Sequence, residues 1–420
     1  MQFVTAGSLS KVQHRVRSVW TVVPGRVYDL RFSIRLPVDP ARFKMNLLKT
    51  NFSAAVFLLA ALLLPTCILA EVDFDKFQPE SNATYLLEME NGRRYAGRID
   101  KVWLNAVTMT RRCGRIVRPK IADVKSLKKV EDSFTPKTFD QVRAGLVKEF
   151  QGKYTVSRTQ HFLVVHPPGQ FEAWAKPFEK FYANFQAYWR ARGVALQDPE
   201  FPLVAVVLRT QREFKKIAAK KDIESAGGFF SHDSNRLFTY LRDYDSVGEK
   251  RNREYTFDVI CHEIAHQLSF NTGLETRGSS SAMWFSEGLA QMFEADGVND
   301  SIKHSSLVSR IHYGELKNYL KLRRNGRTKS IIKRQLKGGL FDRDQNLAYS
   351  SAWAMMMFLS ESRPRQLAEY AELQRAATQR GSNGWSRTEL FEKAFGDVKL
   401  LEAHMNNYVD KLAKEVDLAK

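Results

Sequence analysis

Cysteine is scarce in this chain of 420 residues, which contains only Cys67, Cys113 and Cys261. Three scattered cysteines exclude a disulfide framework and a cysteine-rich zinc site, although a single Cys113–Cys261 bridge remains open. The sequence also has no internal repeat, no low-complexity tract, no glycine-rich phosphate loop and no nucleophile elbow. These absences argue against repeat proteins, P-loop nucleotide-binding proteins and serine hydrolases of the α/β type.

The composition is that of a globular protein, with 44% hydrophobic residues and a formal net charge of +19. Such a charge favours nucleic acid, a membrane surface or an acidic polymer as a partner. The densest basic run, Lys317 to Lys337, has nine lysines and arginines and no acid. It has few aromatic residues and the chain has no nucleic-acid motif, so we expect no nucleic acid. The run is interpreted as a solvated helix face and loop, or as a surface that attracts an acidic envelope polymer.

A targeting segment is predicted from Met45 to Ala70, which has a lysine near its start, an apolar run, a proline break and a small final residue. This pattern is typical of a secretory signal peptide, so residues 1–44 are interpreted as a spurious extension from an upstream start codon. Removal of residues 1–70 takes away nine basic and two acidic residues and leaves a net charge of +12. The product is then secreted, or lies in the periplasm or cell envelope.

Two alternatives to the signal peptide remain open. The segment Phe52 to Leu69 is just long enough to span a bilayer, so it is a membrane anchor if residues 1–70 survive. Lipidation of Cys67 is the other alternative, but the preceding residues Leu64, Pro65 and Thr66 fit a lipoprotein cleavage site poorly.

A small β domain is predicted at residues 71–130. Short apolar segments from Tyr85 to Lys129 alternate with hairpin-like turns at Asn91-Gly92 and Cys113-Gly114. We expect an SH3-like β-barrel, and nothing in these residues names its ligand.

The remainder, residues 138–420, predicts an α+β domain in which a mixed sheet half precedes a helical half. Aromatic residues recur at helical spacing between Phe171 and Arg192, as expected for core packing. Everything after Asp258 has helical patterns, so a cleft between the halves is the expected place for a site. The other predicted elements are a helix at Phe139–Phe150, strands at His161–His166 and Leu203–Leu208, and a hairpin at Gly227–Leu241 that turns at Ser231–Asn235.

The strongest chemical signal lies in the predicted helix Tyr255 to Asn271, which stops before Gly273. His262 and His266 are four residues apart, so they share one helix face and can bind one metal ion. Glu263 is one position further round the helix, a placement that suits a base taking a proton from water beside a metal.

A third metal ligand is expected in a second helix, which begins near Met283 and has the sequence MWFSEGLAQMFEA. Glu287 is a carboxylate in a strongly apolar helix, where burial is costly unless a cation neutralises it. It follows His266 by 21 positions, enough for one helix to end and another to return alongside. Two histidines, one glutamate and an open position predict a hydrolytic zinc site with one Zn²⁺ per chain.

The pair of segments HEIAH and WFSEGLAQMFE resembles the gluzincin metallopeptidases, and most of all the peptidase-MA-like families of secreted bacterial proteins of unknown function. The resemblance covers about Phe139 to Ala413 and leaves the β domain outside. It implies Zn²⁺ on His262, His266 and Glu287, with Glu263 as the general base.

The same resemblance directs attention to the apolar helix AYSSAWAMMMFL, where Tyr349 stands at the place of a tyrosine that stabilises the oxyanion in aminopeptidase N-like members. Gln291 stands where related enzymes often carry an acid that orients a ligand histidine. That role is therefore unassigned, and Asp258, one turn before His262, is one candidate.

The resemblance also implies that a peptide substrate adds itself as a strand to the hairpin at Gly227–Leu241. An acid that captures a free amino terminus is absent from Ala226–Phe230, which favours an endopeptidase or an unusual substrate over an aminopeptidase. The expected function is zinc-dependent hydrolysis of peptide bonds. The alternative is a non-catalytic envelope protein that keeps the zinc and binds peptide or acidic polymer. Five further histidines lack metal-ligand spacing and are interpreted as surface or core residues: His161, His166, His232, His304 and His312.

Overall fold

A computed structural model of the chain describes residues 73–74, 76–221, 227–240, 249–277, 282–301, 303–379 and 386–418. The interpreted extension (1–44), the predicted signal peptide (45–70) with its anchor alternative, and Cys67 lie outside these residues. Within the described part of the chain, no helix combines the length and apolar character needed to cross a membrane.

The N-terminal domain is a five-stranded antiparallel sheet. Its strands are β1 (Thr84–Met89), β2 (Arg94–Val102), β3 (Val107–Arg111), β4 (Ile116–Val117) and β5 (Val124–Glu131). They lie in the order β4-β3-β2-β1-β5. Both predicted turns are confirmed, since Gly92 (φ 77°) and Gly114 (φ 81°) adopt the left-handed conformation that tight hairpins need.

This sheet is open, whereas the sequence predicted a closed SH3-like barrel. Its edge strands β4 and β5 pair with β3 and β1 but not with each other. Strand β4 has two residues, and the amide of Ile116 donates to the carbonyl oxygen of Asp233, outside the sheet, at 2.8 Å. A strand this short, with its amide engaged elsewhere, cannot supply the hydrogen bonds that close a barrel.

A second sheet follows, with helices on it. Its elements are α1 (Phe139–Phe150), β6 (Thr155–Arg158), β7 (Phe162–His166), α2 (Phe171–Arg190), β8 (Leu203–Leu208), α3 (Gln211–Ala219), β9 (Gly228–Ser231) and β10 (Arg236–Tyr240). The order β6-β7-β8-β10-β9 places β9 at one edge. Strands β7, β8 and β10 are parallel, while β6 and β9 pair antiparallel with their neighbours. The predicted buried strand and hairpin are thus confirmed.

The helical half begins with α4 (Glu249–Asn271), which ends before Gly273 (φ 85°) as predicted. The predicted order of a mixed α/β half and a helical half is confirmed. The other helices are α5 (Met283–Met292), α6 (Asp296–Asn299), α7 (Tyr313–Arg324), α8 (Ile331–Lys337), α9 (Leu340–Arg343), α10 (Gln345–Ser362), α11 (Pro364–Gln379), α12 (Arg387–Phe395) and α13 (Val398–Leu418).

The aromatic stripe of α2 packs into the main core, as predicted. Phe185 and Tyr188 lie against the ring of Phe293 just after α5, with ring centroids 4.8 Å and 5.2 Å apart. These contacts pack α2 against the end of α5, the helix that carries the predicted ligand Glu287.

The two cysteines of the described residues, Cys113 and Cys261, carry free thiols, so the open question of a bridge is answered. Cys261 is fully buried on α4, and burial raises the pKa of its thiol well above the ordinary value. A thiol held in its neutral form is a small apolar side chain in this core.

Helix α5 crosses α10 at Gly288, next to the predicted ligand Glu287. A Cβ atom at Gly288 would overlap the carbonyl oxygen of Ala352 on α10 and would lie 2.8 Å from its carbonyl carbon. The missing side chain therefore lets the two helix backbones touch, and the obstacle is backbone that cannot rotate away.

We predict that Gly288→Ala destabilises the protein by about 1–3 kcal/mol, because the helices must separate. Gly145→Ala is the matched control, since Gly145 is exposed on α1 and a Cβ there meets nothing within 4 Å. The control is expected to stabilise by up to about 1 kcal/mol through helix propensity. Urea unfolding measures both, and equal effects would contradict the close crossing.

Candidate metal centre

Three of the predicted site residues converge at one point between α4 and α5. The ligand atoms of His262, His266 and Glu287 all lie within 4.8 Å of one another, and all three residues are buried. The two Nε2 atoms are 3.1 Å apart. The Oε2 atom of Glu287 is 3.4 Å from Nε2 of His262 and 3.7 Å from Nε2 of His266. The helical spacing therefore brings together the group that the sequence predicted, and this group could hold a metal ion.

The buried Glu287 carboxylate supports this reading. Its Oε2 atom is buried without a hydrogen-bond donor among the described residues. Such an unsatisfied buried oxygen is costly unless a cation neutralises it. Burial alone would raise the pKa of Glu287, but the positive charges of His266 and His262 beside it outweigh burial and hold the pKa well below its ordinary value.

The ring of His262 is oriented by Glu294, a residue the sequence reasoning missed. Nδ1 of His262 is 2.7 Å from Oε1 of Glu294. An Nδ1–H donor leaves the Nε2 lone pair directed at the metal position. The unassigned orienting acid is therefore Glu294 rather than Asp258, and Gln291 instead donates to Glu315 at 3.3 Å. Glu294 follows Glu287 by seven positions, two helical turns, which was the available sequence signal.

A second histidine, His312, holds the other oxygen of Glu294. Its Nε2 lies 2.9 Å from Oε2 of Glu294, and its Nδ1 accepts the amide N–H of Glu315 at 3.2 Å, at the start of α7. His312 is thus not one of the three grouped ligand residues, in agreement with the sequence analysis, but it bonds the acid that orients His262, a contact that the sequence did not predict. Burial alone would raise the pKa of Glu294, but the hydrogen bonds of His262 and His312 lower it to about 2. Glu294 therefore stays an anion that accepts from both rings.

The ring of His266 is held from the other side. Its Nδ1 lies 3.2 Å from the hydroxyl oxygen of Ser286. That hydroxyl donates to Oε1 of Glu275 at 3.1 Å, and the hydroxyl of Ser269 donates to the same oxygen at 2.5 Å. Because the single Ser286 proton goes to Glu275, Ser286 accepts from Nδ1–H of His266. Nε2 of His266 is consequently the atom left for a metal.

Glu263 lies beside the group but contacts strand β9. Its Oε2 accepts the backbone N–H of Phe230 at 2.7 Å. Gly228 makes room for this approach, since a Cβ there would lie 3.3 Å from Cγ of Glu263 and from a methyl of Val259. Burial raises the pKa of Glu263, while the charges of His262 and His266 and the Phe230 amide offset part of that rise. The carboxyl group is thus placed at the boundary between α4 and the edge strand.

Tyr349 lies in the first turns of α10, one turn before Ala352, which contacts Gly288 of α5. Its ring packs edge-on against Phe341, with centroids 5.0 Å apart. The ring is half-buried. Its role as an oxyanion donor stays a prediction.

Three of the remaining histidines have ordinary surroundings, as expected. His161 binds Glu179 and stacks on Tyr182, and His166 lies 2.7 Å from the hydroxyl of Ser157. His304 is exposed. His232 also agrees with the expectation of a core residue, since it is half-buried just after β9 between the rings of Phe230 and Phe270, at centroid distances of 4.9 Å and 5.0 Å. Burial lowers the pKa of His232, which keeps its ring neutral.

The basic run from Lys317 to Lys337 falls on α7, α8 and the turn between them. Two of its arginines form ion pairs with acids elsewhere in the helical half: Arg323 with Asp410 and Arg327 with Asp344. Part of the basic charge is thereby neutralised within the protein. Binding of an acidic polymer by this run stays a prediction.

Residues 257–381 match the model of a family described as Protein of unknown function (DUF1570). The matched range includes His262, Glu263, His266, Glu287, Glu294, His312 and Tyr349. No curated protein matches the chain. The chain is therefore similar, over the two helices of the metal group and the helices that follow, to an uncharacterised family.

We predict that Glu294→Gln weakens metal binding about 10- to 100-fold, because an amide satisfies the rings of His262 and His312 less well than a carboxylate. Competition of a chromophoric chelator for Zn²⁺ measures the affinity. Asp258→Asn is the control and should leave it unchanged, since the ring of His262 is bonded to Glu294. A larger loss for Asp258→Asn than for Glu294→Gln would contradict the assignment.

Proposed function

We propose that the protein is a zinc-dependent peptidase that hydrolyses peptide bonds, with Glu263 as general base. The observation that carries this proposal is the position of Glu263, which is adjacent to His262 on α4 while its carboxylate bonds an edge strand of the second sheet. An edge strand can bind a peptide by β-strand addition, and an adjacent base and metal group can hydrolyse the peptide bond that is held there.

Zinc is the proposed ion because of the donors. Two imidazoles and one carboxylate suit Zn²⁺, and three protein ligands leave a fourth position open, as in hydrolytic sites. When bound, Zn²⁺ supplies Lewis acidity that polarises a carbonyl group and acidifies water. The bonds of Glu294 and Ser286 to the Nδ1 atoms support this choice, because they hold both Nε2 lone pairs toward the same position.

Proton transfer is assigned to Glu263. It takes a proton from the attacking water and returns it to the nitrogen of the leaving amine. The Phe230 amide binds Oε2, so Oε1 is the oxygen left to carry the proton. Burial raises the pKa of Glu263, which strengthens it as a base relative to an exposed carboxylate.

The substrate strand is proposed to lie along β9. Because the Phe230 N–H reaches Glu263, it points away from β10, and in an antiparallel strand the backbone groups of Gly228 point the same way. The carbonyl of Phe230 and both backbone groups of Gly228 then face the side on which a peptide strand would pair with β9. The absence of an acid in Ala226–Phe230 favours internal cleavage over removal of an amino-terminal residue. From the predicted signal peptide, we propose that this activity lies outside the cytoplasm.

We predict that Glu263→Gln lowers kcat about 100- to 10,000-fold and leaves one zinc per chain, because the amide cannot accept the water proton. A random peptide library analysed by mass spectrometry, together with metal analysis, makes the measurement. Glu369→Gln, at an exposed glutamate of α11, is the control and should match the wild type.

The same experiment separates the proposal from its alternative, a non-catalytic envelope protein that binds peptide or an acidic polymer. Equal cleavage by wild type and Glu263→Gln would contradict the role of Glu263. Zinc binding without any cleavage by the wild type would favour the binding protein.

We also propose that Tyr349 donates a hydrogen bond to the oxyanion. Tyr349→Phe is predicted to lower kcat about 100- to 1,000-fold with little change in KM or zinc content, because the phenylalanine keeps the ring contact with Phe341 but loses the donor. Steady-state kinetics on a peptide found in the library test this role. Wild-type kcat in the variant would remove Tyr349 from the proposed mechanism.

A further inference from the structure

The N-terminal sheet contacts the hairpin that carries β9. The amide of Ile116 on β4 donates to the carbonyl oxygen of Asp233, in the turn after β9, at 2.8 Å. Two residues further, Nη1 of Arg118 pairs with Oδ1 of Asp233 at 2.5 Å. Strand β4 is therefore hydrogen-bonded to the turn that follows the proposed substrate-binding strand.

An apolar contact accompanies these polar bonds. Ile116, Phe230 and Phe270 form a small buried cluster, separate from the larger cores, with exposed fractions of 4%, 7% and 2%. The rings of Phe230 and Phe270 meet edge-on at 5.5 Å. The side chain of Phe230 is thus held between the N-terminal sheet and helix α4.

Arg277 adds a second connection between the two domains. Its guanidinium donates to the carbonyl oxygen of Gly114 and to Oδ1 of Asn271, both at 2.7 Å, and lies over the ring of Phe270. Asn271 in turn exchanges two hydrogen bonds with Asn235, at 2.7 Å and 3.0 Å. The end of α4, the β9–β10 turn and the β3–β4 hairpin are consequently joined in one network.

Phe230 connects this network to the proposed base. Its side chain lies in the cluster with Ile116, and its backbone N–H holds Oε2 of Glu263 at 2.7 Å. A shift of the Phe230 side chain moves the backbone donor, because both belong to one residue on a short strand. The geometry of Glu263 therefore depends on a contact made by another domain.

We propose that the N-terminal sheet is a functional part of the metal site, in which Ile116 and Arg118 are positioning residues that hold β9 and, through the Phe230 amide, Glu263. Its effect on cleavage rests on the proposed peptidase function. The positioning of the Phe230 amide does not, so the two can be tested separately.

The test is hydrogen exchange at residue resolution in the full chain with zinc bound. Ile116→Ala should speed exchange of the Phe230 amide about 10-fold or more while zinc stays bound, because the cavity loosens Phe230. Ile116→Val should return exchange close to the wild-type rate. Val117→Ala is the matched control, since Val117 is the next residue of β4 and packs into the sheet's own core.

Arg118→Ala distinguishes a local effect at Phe230 from general unfolding, because it leaves the apolar cluster intact and removes only the ion pair with Asp233. It should speed exchange at Phe230 by a smaller factor than Ile116→Ala does. If the Phe230 amide exchanges at the wild-type rate in both Ile116→Ala and Arg118→Ala, the proposal is overturned. It is also overturned if Ile116→Ala speeds exchange evenly over both sheets while Arg118→Ala has no effect.

Kinetics then add the functional part. If the wild type cleaves peptide, Ile116→Ala should lower kcat about 10-fold, with recovery in Ile116→Val and no effect of Val117→Ala. If the wild type cleaves nothing, the peptidase proposal fails while hydrogen exchange still decides the positioning role. If Ile116→Ala selectively speeds exchange of the Phe230 amide but leaves kcat undiminished, the link between the N-terminal sheet and cleavage is overturned.

Discussion

The burial of the Glu287 carboxylate between α4 and α5 is the constraint on which the site depends. An ionised carboxylate in such a place needs compensation, and the described residues provide no donor for Oε2. The two imidazole rings that approach it are themselves fixed by Glu294 and Ser286. A cation at the point where the three side chains meet would neutralise the carboxylate and accept the lone pairs of both imidazoles. The packing of α4 against α5 and the binding of a cation therefore depend on each other. Gly288 allows it, because α5 can lie directly on the backbone of α10.

The sequence predicted the parts of this arrangement that local spacing determines. His262 and His266 share a face because four residues make about one helical turn, and Glu287 stood out as a charge in an apolar helix. The spacing of apolar residues predicted the strands and the aromatic stripe, and the turn-forming residues predicted the hairpin turns. Glu294 was not predicted although it lies on the face of Glu287 two turns later, because the resemblance places the orienting acid one turn after the ligand, where this chain has Gln291.

Other features depend on tertiary contacts that no local pattern encodes. His312 contacts Glu294 although 18 positions separate them in the sequence and helix α6 and a 3-10 turn lie between them. The bond from Phe230 to Glu263 needs β9 at the sheet edge beside α4, which periodicity cannot specify. The open form of the N-terminal sheet has the same origin, since the Ile116 amide bonds a partner in another domain.

The bond between the proposed base and the edge strand also links binding to chemistry. In the proposed mechanism, the peptide bonds backbone groups of Gly228 and Phe230 on β9, and the amide of Phe230 also holds the carboxylate of Glu263. The strand and the base therefore move together. A base held by a flexible side chain alone would lose its alignment whenever the strand shifted. With Phe230 as the common element, any displacement of the strand is shared by the Glu263 carboxylate, because the Phe230 amide holds its Oε2 atom while Oε1 stays directed at the proposed proton transfer. The sheet that fixes Phe230 from the far side therefore limits how far both can move.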